Sequence, residues 1–143
     1  MKRVLVPAAV SLAAVLSLAS CSDNDASPKE EGTKAASELC TDLSELRADQ
    51  AKLAALDPAS ATKDQVKEAY EAVQDDWKDV SESLGDLDEA KRNGLRSAAD
   101  DLKKAYEDLP GDTSGKDALS KVKPQIQKLG TTVQESSRSV NCT

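Results

Sequence analysis

The sequence predicts an all-α protein whose folded part is an up-down-up-down four-helix bundle. Three observations carry this. Four stretches place apolar residues at steps of three and four, the period of an amphipathic helix. Strand-like alternation occurs nowhere. The stretches are similar in length, about 20, 22, 23 and 25 residues or roughly 30–37 Å at 1.5 Å per residue, and the links between them are short, which favours antiparallel neighbours. A three-helix bundle with the first or last segment docked on it is the alternative.

The first stretch carries Leu39, Leu43, Leu46, Leu53 and Leu56, with Gln50 at the step where another apolar residue belongs. Asp57-Pro58 should end it, because the residue before proline is pushed out of the helical region. Thr62-Lys63-Asp64-Gln65 then has the pattern of a capping box, in which a hydroxyl and a glutamine side chain satisfy free N–H groups reciprocally. In the second stretch Val66, Tyr70, Val73, Trp77, Val80, Leu84 and Leu87 alternate steps of four and three, a continuous seam. Gly85 is its expected stop, and Asp86 to Glu89 resembles another helix start, so that Leu87 is shared between two elements. The third stretch holds Leu95, Ala98, Leu102, Ala105 and Leu109 and stops at Pro110-Gly111; Asn93-Gly94 weakens its first turns. The fourth holds Leu119, Val122, Ile126, Leu129, Val133 and Val140, with Ser136 in one seam position. Pro124 inside it removes a backbone donor and is expected to kink the helix or split off its beginning.

Composition narrows the function. The chain has 143 residues, with 19 Lys and Arg against 26 Asp and Glu, no His and no Phe, one Trp and two Tyr. The net charge of −7, without basic clusters, argues against nucleic acid. Without histidine there is no imidazole base, proton relay or histidine metal ligand. A nucleophile paired with a base, a glycine-rich phosphate loop and a metal-ligand cluster are all missing from the pattern. A Leu, Val and Ala core makes a narrow bundle with little room for a cofactor. The expectation is a protein without catalytic activity and without a cofactor.

The start of the chain is an address. Met1-Lys2-Arg3 is basic, and the apolar run Val4 to Leu18 is too short to span a bilayer core of about 30 Å, which takes about twenty residues. It has the pattern of a secretory signal peptide. Leu18-Ala19-Ser20-Cys21 resembles the lipobox of bacterial lipoproteins: a branched apolar residue, two small residues, then the cysteine that receives lipid. The resemblance implies a signal peptide over 1–20 and a diacylglyceryl thioether, usually with a further acyl chain such as palmitate, on Cys21. It implies a location on the outer side of the cell membrane. With each buried methylene worth about 0.8 kcal/mol, two or three chains on one residue make a durable anchor. The chain is similar in this to the small secreted lipoproteins of Gram-positive bacteria, a similarity that brings no activity with it. Residues 21–32, polar and with Pro28, read as the lipidated cysteine and a flexible tether, which leaves 33–143 for the bundle. Losing Lys2 and Arg3 with the leader leaves 17 basic against 26 acidic residues, a net −9. Anionic headgroups repel such a surface, so the membrane is engaged through the lipid.

With Cys21 assigned to lipid, Cys40 and Cys142 remain for an oxidising compartment. Cys40 lies near the start of the first helix and Cys142 at the end of the chain. In the proposed helix order those two ends meet, so a structural disulfide is expected. Their spacing has nothing of a redox C-x-x-C, and no basic neighbour in sequence would make a thiolate.

The one unusual surface feature is the back of the second helix. Asp64, Glu68, Glu71, Asp75, Asp79 and Glu82 follow steps of four and three and fall opposite the apolar seam at about 100° per residue. From Thr62 to Asp88 there are nine acids against Lys63, Lys67 and Lys78. Like charges four apart cost a helix a few tenths of a kcal/mol per pair, and the chain accepts this repeatedly. A solvated, solubilising face is the plain explanation; a docking strip for a basic protein or envelope component is the functional one. A straight helix spreads carboxylates rather than converging them, so a calcium site is not expected there. The alternative function is a small ligand or cation held between helices near Tyr70, Trp77 and Tyr106.

Overall fold

The computed structural model describes residues 28–142, so the signal peptide, Cys21 and the first part of the tether lie outside the described residues. Four helices follow in order: α1 Pro28–Ala54, α2 Lys63–Glu82, α3 Glu89–Glu107 and α4 Gly115–Ser139, with a 3₁₀ turn Leu84–Asp86 between α2 and α3. There is no strand among the described residues. The architecture is a four-helix bundle.

Local chemistry sets the boundaries. α2 begins at the capping box: Thr62 Oγ1 accepts from the Gln65 N–H, and the Gln65 side chain accepts from the Thr62 N–H at 3.0 Å. Asp88 caps α3 by accepting from the Lys91 N–H, and Ser114 caps α4 by accepting from the Asp117 N–H. The link after α1 is folded on Asp57, whose carboxylate accepts from the Ala59 N–H and the Ser60 hydroxyl. Leu87 belongs to neither flanking helix; it is extended, 4% exposed, and inserts into the core between them.

Two expectations need correction. α1 begins at Pro28, five residues inside the segment read as a tether, because proline suits the first position of a helix, where its missing N–H loses nothing. α4 is continuous through Pro124 rather than split. Pro124 and Ser120, one turn before it, are both exposed, so water serves the carbonyl left without a backbone donor.

The core is a column of aliphatic side chains: Leu39, Leu43, Leu46, Leu53, Val73, Val80, Leu95, Ala98, Leu102, Leu129 and Val133 are all fully inaccessible. Each fully buried Leu or Val contributes roughly 1.5–3 kcal/mol. Two polar residues occupy seam positions. Ser136 is fully buried. Gln50 reaches across to α4, where its amide donates to the Ile126 carbonyl at 3.0 Å. It fits because residue 130 is glycine: a Cβ there would lie 2.8 Å from the Gln50 amide.

The helices pair as two hairpins, α1 with α2 and α3 with α4, joined by α1 against α4. The fourth edge is the loose one. α2 approaches α4 across the bundle more closely than it approaches α3, and the α2–α3 edge is bridged by large side chains, notably Tyr70 stacked on Tyr106 with ring centroids 3.8 Å apart and planes 12° from parallel. At the distal end, Gly115 lies directly on the α1–α2 link, where a Cβ would meet the Ala61 carbonyl oxygen at 2.2 Å. At the other end the sulfurs of Cys40 and Cys142 are 2.03 Å apart, with Cα atoms 5.3 Å apart, joining the middle of α1, which extends twelve residues before Cys40, to the residues after α4.

Candidate functional site: the acidic back of α2 and its seam with α1

All six residues of the predicted strip, Asp64, Glu68, Glu71, Asp75, Asp79 and Glu82, are exposed. α2 buries Val66, Tyr70, Val73 and Val80 on the opposite side, which turns the strip to solvent along the whole helix. One of the six is ion-paired: Glu71 lies 3.6 Å from Lys67 on the next turn. The other five have no salt bridge among the described residues.

The flank of α2 that meets α1 is also acidic, and its key residue is not part of the strip. On α1, Asp42, Glu45, Asp49 and Lys52 succeed one another at steps of three and four and so share one flank. On α2, Gln65, Ala69, Ala72 and Asp76 do the same, and Ser83, the residue after α2, follows seven residues on. Ser83 Oγ donates to the Asp42 carboxylate at 2.6 Å across this seam. Asp76 sits higher, half-buried, with its Oδ2 inaccessible and without a hydrogen-bond partner. Loss of water around it, followed by the negative charges of Asp49, Glu45 and Asp79, pushes its carboxyl up to about 6. Lys52 donates to Asp49, and that hydrogen bond raises the lysine in turn.

Two recesses adjoin these residues. A cleft of about 310 Å³ between α1 and α2 is lined by Asp49, Lys52, Leu56, Gln65, Glu68 and the alanines 69 and 72. A smaller one of about 110 Å³ lies where Tyr106 and Leu109 meet Lys63 and the link 110–113. Lys63 closes it from one side by donating to the Gly111 carbonyl.

The aromatic residues singled out in the sequence separate into different roles. Tyr70 is 7% exposed and stacked on half-buried Tyr106; burial and then Glu107 push its hydroxyl up to about 12, and burial and then Glu71 raise Tyr106. Trp77 is half-buried and packs on the core from outside. The recess at Tyr106 is below the roughly 300–1,000 Å³ of ordinary ligand pockets, and neither Tyr70 nor Trp77 lines it. Among the described residues no group of three or more Cys, Asp or Glu is arranged to hold a metal ion, and no helix is long and apolar enough to cross a membrane.

Sequence reasoning missed Asp76 because its neighbour Asp75 belongs to the strip and the pair reads as one acidic run. The signal was present: Asp76 is one turn from both Ala72 and Val80, closer to the buried seam than to the exposed back. Comparison with protein-family models, curated proteins and solved structures finds no match to this chain.

Proposed function

We propose that this protein is a lipid-anchored module on the extracytoplasmic side of the cell membrane, held by acylated Cys21, that binds a basic protein or envelope component through the acidic back of α2 and catalyses nothing. One observation carries the binding half of this reading: six carboxylates stand exposed along one helix, five of them without a salt bridge among the described residues. Exposed charge left uncompensated over a whole helix face attracts a cationic partner at long range and sets its orientation. The location half is supported by the lipobox residues Leu18 to Cys21 and by the bonding distance between Cys40 and Cys142, which suits an oxidising compartment.

The test is crosslinking in intact envelope, comparing wild type with a variant carrying Glu71→Ser, Asp75→Ser and Asp79→Ser. Loss of a basic partner in the variant supports the reading, and an unchanged set of partners removes it. The anchor is checked by the mass of the mature N-terminus, expected as acylated Cys21, and by Cys21→Ala, expected to leave the chain unacylated.

A further inference from the structure

The α1–α2 seam holds an arrangement that neither a docking strip nor a stable core requires. The carboxyl of Asp76 is inserted between the helices, one oxygen shut off from water and unpartnered. It faces Glu45 and Asp49 from α1 and lies near Asp79 of its own helix. Among the described residues the cation acting there is Lys52, already engaged by Asp49. No charged group of α3 or α4 acts on Asp76 among the described residues. A carboxylate in this position lacks both a donor for its buried oxygen and a counter-charge of its own. A protonated carboxyl needs no counter-charge, and its O–H donates to the Asp49 carboxyl.

We propose that Asp76 is a proton-operated latch of the α1–α2 seam. With the proton on, Asp76 hydrogen-bonds Asp49 across the seam and α2 is held to α1. With the proton off, Glu45, Asp49 and Asp76 face one another as anions and the seam loosens. The chain has no histidine, so no imidazole titrates beside this latch near neutrality. The sign follows from the raised pKa. The unfolded chain ionises Asp76 near the ordinary aspartate value, whereas the folded chain keeps its proton up to about pH 6. The stabilisation is therefore complete below the ordinary value and is lost as pH rises through about 6.

The experiment is a carboxyl-carbon NMR titration of the full mature chain, joined to urea unfolding between about pH 5 and about pH 7. Asp76 is expected to titrate near pH 6. The wild-type urea midpoint is expected to fall across this range, while that of Asp76→Asn stays level and at pH 7 equals or exceeds wild type. Asp49→Asn, which removes a facing charge, is expected to lower the Asp76 titration point. The proposal is overturned if Asp76 titrates near its ordinary value of 3.8, or if Asp76→Asn keeps the wild-type pH slope. Should Asp76→Asn fail to fold, the titration of the wild-type carboxyl decides alone.

Discussion

The two hairpins of the bundle pack their apolar stripes in the same way and treat charge in opposite ways. Across the α3–α4 seam, opposite charges are matched: Lys128 lies 2.5 Å from Asp101 and Lys91 lies 3.7 Å from Glu135. Across the α1–α2 seam, Glu45, Asp49 and Asp76 gather around a single lysine. Both hairpins form because burial decides: one core leucine is worth roughly 1.5–3 kcal/mol, an exposed ion pair about 0–1 kcal/mol. The rim of a seam is thus free to carry chemistry that does not help folding. In α3–α4 it carries compensation, and in α1–α2 it carries sensitivity to protons.

The largest expected effect comes from separating the hairpins. Cys40 and Cys142 are 102 residues apart in sequence, so replacing both with serine should lower unfolding free energy by up to about 4–5 kcal/mol in the chain-entropy account, read as a drop in Tm under non-reducing conditions. Next is the other end of the same junction. Gly115→Ala forces its Cβ against the Ala61 carbonyl and should cost about 1–3 kcal/mol in urea unfolding, with α4 or the α1–α2 link displaced. The comparison itself is sharpened by pH. In Asp76→Asn the fall in stability between about pH 5 and about pH 7 should disappear, whereas in Asp101→Asn, on the matched seam, it should persist at the wild-type slope. Salt should divide the seams more weakly. About 1 M salt shortens the screening length to about 3 Å, which relieves the repulsion in α1–α2 and weakens the exposed pairs of α3–α4. The smallest effect is that of Lys128→Ala, about 0–1 kcal/mol by urea unfolding, because both partners are close to half exposed.

Much of this arrangement was legible before any coordinates. The steps of three and four at Val66, Tyr70, Val73 and Val80 named the buried side of α2 and, by subtraction, the exposed carboxylates at its back. The capping box at Thr62 was readable because both partners lie within four residues of each other. The meeting of Cys40 and Cys142 followed from helix order alone. The early start of α1 was not read, because a polar segment containing proline looks the same whether that proline opens a helix or interrupts a linker. Pro124 was expected to kink α4 or to split off its beginning; the split does not occur, because one missing donor matters less at an exposed position than in a buried one.

What the chain's own pattern determined is everything with a short period: which residues are helical, which side of each helix is apolar and which carboxylates share a face. These depend on backbone geometry that repeats every 3.6 residues. Tertiary structure alone decided what stands to the left and right of each helix. It put Asp76 against α1 rather than against water, stacked Tyr70 on Tyr106 across the loose edge, and seated Gln50 over Gly130. Periodicity specifies an inward direction but not a neighbour. A flank residue acquires its chemistry only when a second helix, distant in sequence, removes its water and supplies its charges.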